Sequence, residues 1–471
     1  MGNGRSNSLV SSLAVRFTVW SEKYIPDAFV FALIATVIVA VLGFCVAGAP
    51  PSKIIESWGQ GFWELIPFTM QMALIIITGY VLASSPPVFR FIDYLASVPK
   101  TGRSAVLMVA IFAMLSSWFN WGFSLVFSAI LAKRVAQKVP ETDYRALAAS
   151  SFLGLGSVWA QGLSSSASLQ MATSSALQPA IRTIIEKGGI VSGGLIPLKD
   201  TIFLWQSFLS VFVEVVIVAC VIWLITPTRE IRTAKQLGIK IDVDLGFKKE
   251  EKASTVGEWL ERKPYLNLII FAFGFWYLYK HFSSAESAAS AVTLNIINFT
   301  FLILGFLFHW TPARLMSAVR DATPAVWGVI LQFPFYAGIA GMIVYTGLNA
   351  KIADFFVAIS TQTTFPFLIA VYSAVLGVFV PSGGSKWIIE APYVMAAAHD
   401  LKVHLGWMVS VYNLGEALAN LIQPFWMLPT LAILGLKARD VMGYTLLVFL
   451  VLTPIVLIMV TLLSLTLKYP L

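Results

Sequence analysis

The sequence predicts an all-α polytopic membrane protein made of two inverted repeats, each with a re-entrant helical hairpin and a broken transmembrane helix. Three observations lead there. The first is composition: of 471 residues, 58% are hydrophobic and 12% charged, with a mean hydropathy of +0.80, which is not the balance of a soluble domain. The second is run length. Stretches at 28–48, 62–83, 201–225 and 443–467 are long enough to cross about 30 Å of hydrocarbon as helices, and they lack the alternation of a transmembrane β-barrel. The third is a pair of matched interruptions. Ser117-Trp118-Phe119-Asn120-Trp121-Gly122 and Pro381-Ser382-Gly383-Gly384-Ser385-Lys386 each halt an apolar run that then resumes, and a following helix breaks at 161–168 and at 420–424. Unpaired backbone groups in hydrocarbon are costly unless protein or a cavity supplies partners, so paired breaks point to a solute site near the bilayer midplane.

The first repeat takes residues 1–225. Residues 9–24 read as an interfacial helix, with Leu9, Leu13, Val15, Phe17 and Trp20 beside Arg16 and Lys23. A signal peptide is not expected, because the first apolar run starts late and is long enough to span. Spans follow at 28–48 and 62–83, a hairpin at 103–138, and spans at 146–172 and 201–225. Residues 226–264 form a cytoplasmic linker of mixed charge. The second repeat, 265–471, has spans at 266–282, 293–310 and 324–346, a hairpin at 365–400, and spans at 407–430 and 443–467. Each hairpin arm holds about 15 residues against the roughly 20 of a full crossing, which favours re-entrant hairpins over paired tilted spans.

Sidedness follows from charge. With the N-terminus in the cytoplasm, 23 of the 32 Lys and Arg lie inside and 9 outside; without the linker the bias is still 14 to 9. That asymmetry supports the N-in orientation. The halves then run in opposite directions, and Gln71 in the first corresponds to Gln332 in the second. The net charge of +8 is spread over loops, with no basic stretch interleaved with aromatics, so no nucleic-acid partner is expected. Cys45 and Cys220 fall inside spans and read as apolar fillers rather than a disulfide framework.

Several segments together carry a resemblance. They are Trp58-Gly59-Gln60-Gly61-Phe62-Trp63, residues 70–79, Gln332-Phe333-Pro334-Phe335-Tyr336-Ala337-Gly338, Val380-Pro381-Ser382-Gly383-Gly384, and Gln423-Pro424-Phe425-Trp426. Over nearly the whole chain the sequence resembles the short-chain fatty acid transporter family, which includes permeases for acetoacetate and butyrate and is similar to the ion transporter superfamily. It departs from the family pattern at Ser385, Lys386 and Glu390. The resemblance implies a multi-pass protein of the bacterial inner (plasma) membrane and a homodimer in which a scaffold domain holds a moving transport domain.

The candidate residues follow from the chemistry of a buried anion. A carboxylate in a low-dielectric site needs hydrogen-bond donors or a positive charge, otherwise it protonates. Helix N-termini offer N–H groups and a favourable dipole, and Ser382, Gly383, Gly384 and Ser385 suit such a cradle; a close helix crossing or a plain turn is the alternative use. The spacing of a phosphate loop is absent. Ser117, Asn120 and Gly122 form the opposing tip, where Asn120 serves a solute or merely stabilises the turn. Trp118, Phe119 and Trp121 wall a pocket for a short acyl chain, or simply pack. At the breaks, Gln161, Ser164, Ser165 and Ser166 face Asn420 and Gln423, and such freed carbonyls and small polar groups suit Na⁺. Pro424 removes a helix hydrogen bond there.

Ionisable residues in the layer are functional candidates. Glu416, one turn before the second break, is the candidate for proton coupling. Lys386 and Glu390 are four apart and pair on one arm, unless Lys386 meets a substrate carboxylate. Glu214, alone in 201–225, reads as a scaffold or interface residue with a neutralised or paired charge. His281, His309, His399 and His404 lack ligand spacing, so no metal site is expected.

These readings converge on a secondary active transporter for small monocarboxylates such as acetoacetate or butyrate, embedded in the lipid bilayer. Ser117, Asn120, Gly122, Ser382, Gly383, Gly384, Ser385, Lys386, Asn420 and Gln423 are the expected substrate-binding residues, and Gln161, Ser164, Ser165, Ser166, Glu390 and Glu416 the ion-coupling ones. No cofactor is expected beyond a transported Na⁺ or H⁺, because there is no nucleotide-binding motif and a gradient must drive uptake. The alternatives are a carrier for another organic anion such as a dicarboxylate, an anion channel, or an intramembrane enzyme. The last lacks both H-E-x-x-H and G-x-S-x-G.

Overall fold

A computed structural model describes residues 28–189, 191–228, 231–239, 241, 253–285, 291–380, 383–423 and 426–471. The interfacial segment 9–24 and the charged core of the linker lie outside the described residues. Regular structure among the described residues is entirely helical.

The first half contains α1 (Ala28–Cys45), α2 (Pro51–Glu64), α3 (Ile66–Ala83), α4 (Pro86–Ala96), the hairpin α5 (Gly102–Phe119) and α6 (Trp121–Lys138), then α7 (Tyr144–Phe152), α8 (Ser166–Ala172), α9 (Pro179–Ile185) and α10 (Trp205–Ile225). After α11 (Val256–Arg262) and α12 (Tyr265–Ser283) come α13 (Leu294–His309), α14 (Pro312–Ala322), α15 (Trp327–Tyr345), α16 (Leu348–Ile359), the hairpin α17 (Phe365–Phe379) and α18 (Gly383–Asp400), α19 (Leu405–Asn420), α20 (Met427–Leu434) and α21 (Ala438–Ser464). Among the described residues, α3, α5, α10, α15 and α21 are each long and apolar enough to cross a membrane, and α1, α13 and α17 contain shorter apolar stretches. The chain is a multi-pass membrane protein.

The packing repeats itself between the halves. α15 packs on α1 and α2 of the other half, while α3 packs on α13 and α14; α6 meets α20, and α18 meets α8; α10 and α21 cross each other. This exchange is what a two-fold relation between α1–α10 and α13–α21 produces. Among the described residues α12 has no counterpart in the first half.

Several elements differ from expectation. The stretch 62–83 is interrupted at Leu65 (φ −110°, ψ 19°), because Pro67 has no N–H and its ring obstructs the preceding turn. Three short amphipathic helices were not foreseen and begin on Pro51, Pro86 and Pro312, where proline's fixed φ suits the first helical turn. Three of the four hairpin arms are longer than expected, at 18 residues, while α17 has the expected 15. α6 runs on through Lys133, Arg134 and Lys138 because these charged residues are good helix formers.

Polar contacts fix the ends. The Tyr345 hydroxyl donates to the Glu64 carboxylate, tying α15 to α2. Asp143 caps α7, accepting from Arg145 N and Ala146 N at 3.1 and 3.0 Å and from Arg232 N of the linker at 3.0 Å. At the corresponding end of α19, Leu405 N donates to Pro470 O at 2.9 Å.

Candidate functional site

The two hairpin tips and the two broken helices meet in the middle of the molecule. α5 and α6 are separated by Asn120 alone, held extended at φ −159°. Its Oδ1 accepts from Phe123 N at 2.8 Å, which caps α6. Trp121 N donates to Ser164 Oγ at 2.9 Å, and Leu163 N to Trp118 O at 2.7 Å. The first break is therefore docked on the first tip by backbone groups on both sides. Within that break Trp159–Gln161 forms one 3₁₀ turn, and Ser165 caps α8.

Beside these contacts lies a cleft of about 380 Å³, part of it open, lined by Met72, Leu155, Val329 and Phe333 as apolar walls, by Trp121, Trp159 and Trp426, and by Ser166, Gly383, Gly384 and Asn420. Trp121 stands edge-on to Trp159 (6.3 Å between centroids) and to Trp426 (5.2 Å). The indole N–H groups of Trp121 and Trp159 and the Asn420 Oδ1 are buried without a hydrogen-bond partner among the described residues. Asn420 Nδ2 donates to Leu155 O at 3.1 Å, which ties the two breaks together. α18 begins at Gly383, and Gly383 and Gly384 at its start face this cleft.

One turn into α18 is a charged cluster. Lys386 Nζ lies 2.6 Å from Glu416 Oε2 and 3.6 Å from Glu390 Oε1, with all three side chains at most 1% exposed. The same ammonium donates to Ser373 O at 2.5 Å and sits 4.7 Å from the centroid of the Tyr412 ring. Ser373 Oγ donates to Glu390 Oε2 at 2.6 Å, and the Tyr412 hydroxyl to Gly383 O at 2.5 Å.

The expected residues thus divide by place. Gly383, Gly384, Asn420 and Ser166 line the cleft. Ser117, Asn120 and Gly122 are buried at the first tip, beside Trp121. Ser164 and Ser165 act as caps there. Gln161 Nε2 donates to Glu214 Oε1 at 2.7 Å, away from the cleft lining. Lys386, Glu390 and Glu416 form the cluster. Gln423 is buried, and its backbone N–H donates to Ala419 O at 3.0 Å. Ser382 and the Ser385 side chain lie outside the described residues. Sequence reasoning did not single out Met72, Leu155, Trp159, Val329, Phe333, Ser373 or Tyr412. Trp159 and Trp426, each next to a break, were the detectable signals; Met72 and Phe333 follow directly on the matched Gln71 and Gln332.

Comparison with known proteins agrees with this architecture. A family model described as short chain fatty acid transporter matches residues 9–463. A protein of Escherichia coli (strain K12), named a candidate short-chain fatty acid transporter, is 37% identical over 443 residues, covering 92% of this chain and 95% of its own. One of Haemophilus influenzae with the same name is 34% identical over 455 residues, covering 96% and 99%. Two solved structures share the fold. The Alcanivorax borkumensis YdaH transporter, described as having an unusual topology, superposes with a TM-score of 0.57 at 17% identity, over 93% of this chain and 98% of its own. Neisseria gonorrhoeae MtrF, described with a class of antimetabolite efflux pumps, gives 0.61 at 12% identity, over 97% and 98%.

Proposed function

The chain belongs to the short chain fatty acid transporter family and is a transporter rather than an enzyme, and from that premise we propose that it is a secondary active carrier for small monocarboxylates such as acetoacetate or butyrate, moving them across the inner membrane together with an ion. The observation that carries this reading is the mixed lining of the cleft. The N-terminus of α18 offers N–H donors and about half a positive charge to a carboxylate, and the Trp121 and Trp159 indoles add donors. Met72, Leu155, Val329 and Phe333 face a short hydrocarbon tail. A second carboxylate on the substrate would meet the apolar walls unpaired, which disfavours dicarboxylates. The two-fold packing supports alternating access, in which the halves exchange conformations around one site, and the Lys and Arg asymmetry supports a cytoplasmic N-terminus.

The test is uptake of radiolabelled butyrate into proteoliposomes under an imposed H⁺ or Na⁺ gradient, with protein-free liposomes as control because butyric acid crosses bilayers unaided. The expected result is saturable, protein-dependent accumulation under one gradient, inhibited by acetoacetate far better than by succinate. Uptake equal to the control under both gradients overturns the proposal.

A further inference from the structure

We propose that Lys386, Glu390 and Glu416 form a one-proton site that takes up a proton with each substrate carboxylate. This rests on the reading above that the cleft binds a carboxylate, and it adds the coupling ion and the groups that hold it.

The argument starts from charge. One ammonium faces two carboxylates in a space closed to water. Fully ionised, the cluster carries one unbalanced negative charge, and an unpaired buried charge is so costly that such a group takes a proton instead. The neighbouring helices bring no second cation among the described residues. Tyr372 and Tyr393, whose hydroxyls bond each other at 2.9 Å, and Tyr412, whose hydroxyl donates to Gly383 O, stand near the cluster and bring no cation. Tyr336 of α15 is buried and has a partner of its own. Lys351 and Asp354 of α16 are exposed. Arg182 of α9 is bonded to Ser174, and Glu214 of α10 to Gln161. His399 and Asp400 end α18, His404 precedes α19, and Arg439, Asp440 and Tyr444 stand in the first two turns of α21.

A proton fits where a metal cation does not. The ammonium already occupies the position between the two carboxylates and donates to Ser373 O. A Na⁺ ion there would need several oxygen ligands and would meet the ammonium's charge. A proton needs no added room and is shared by the carboxylate pair.

Geometry links this site to the cleft. Lys386 follows Gly383 by three residues, Tyr412 joins the cluster to Gly383 O, and a Cβ built on Gly383 would lie 3.3 Å from Glu416 Cγ. An anion at the α18 terminus and the surplus charge of the cluster repel each other at short range in a medium of low dielectric. A proton on the cluster removes that repulsion, and by reciprocity a bound anion favours the proton. Carboxylate and proton then cross as an electrically neutral pair.

Titration calorimetry of butyrate into the purified full-length chain, at a pH alkaline enough that the unliganded site has given up its proton and in two buffers of different ionisation enthalpy, counts the protons taken up. We expect one per butyrate in the wild type. Glu390→Gln and Glu416→Gln each leave Lys386 with one carboxylate, so each should bind butyrate with a count near zero. The wild-type affinity should fall about tenfold per pH unit once the site loses its proton, and the affinity of either variant should be flat. Glu214→Gln, whose carboxylate meets Gln161, should keep the count at one. A wild-type count of zero with measurable binding overturns the proposal, as does a count of one in both cluster variants. Infrared difference spectra between alkaline and acid solution read the site without substrate: a carboxyl band that appears on acidification and is absent from both variants supports the proton site, and its persistence in both overturns it. Absence of butyrate heat together with that variant-sensitive band supports the proton site and overturns only the butyrate reading.

Discussion

At the tip of the first hairpin the N-terminus of α6 is closed by protein, because Ser164 Oγ accepts from Trp121 N and Asn120 Oδ1 from Phe123 N. At the tip of the second, no described residue accepts from Gly383 or Gly384, and both face the cleft. The adjoining carboxylates differ in the same sense. Glu214 meets a neutral amide at Gln161, whereas Glu390 and Glu416 share an ammonium. The two halves thus differ in how the tip backbone is met: protein groups close the first terminus, while among the described residues the second opens on the cleft. A fold with two-fold packing can concentrate its solute chemistry on one side.

The largest expected effect breaks the closed tip. A Cβ on Gly162 would lie 2.0 Å from Trp118 O, the carbonyl that accepts from Leu163 N. Backbone meets backbone there, and no side chain can rotate away. Gly162→Ala should undock the first break from the first hairpin and cost more than the 1–3 kcal/mol usual for overpacking. Size-exclusion chromatography in detergent should show loss of the monodisperse peak. A variant that elutes and transports like wild type would mean that the closed tip is not rigid.

The next effect is aimed at the open tip. A Cβ on Gly383 would lie 2.7 Å from Trp159 Cη2, a side-chain contact at the cleft rather than a backbone clash. Gly383→Val should therefore leave the elution profile unchanged and lower proteoliposome uptake at least tenfold, equivalent to about 1.4 kcal/mol. Loss of folded protein in both glycine variants would erase the contrast between a structural tip and a ligand tip. Full uptake by Gly383→Val would remove the second tip from the site.

What the chain disclosed in advance follows the range of the interactions. Polar residues and glycines inside apolar runs are local signals, so both tips and both breaks were legible. The amphipathic helices at Pro51, Pro86 and Pro312 were not, since each is short and mixes polar with apolar residues. Lys386 and Glu390 announced their pairing by a four-residue spacing. The approach of Glu416 is tertiary: it depends on α19 lying against α17, where a Cβ on Gly415 would come within 2.4 Å of Ala370 O. No local pattern encodes that contact. Met72 and Phe333 sit in runs where lining a cleft and facing lipid look the same.

The smallest effect sharpens the comparison at Asn120, which the sequence leaves open between solute ligand and cap. Its Oδ1 is engaged with Phe123 N, it does not line the cleft, and its buried Nδ2 has no partner among the described residues. If capping is its work, a serine can replace it, since a hydroxyl oxygen also accepts from the first turn of a helix. Asn120→Ser should then match wild type in thermal stability and in butyrate KM. Asn120→Ala should lose about 1 kcal/mol of stability with KM unchanged. The decisive result is a split between the two readouts in the serine variant. Wild-type stability with a raised KM would make Asn120 a contact for the substrate, and the first tip would then take part in recognition through the free amide rather than only support the fold.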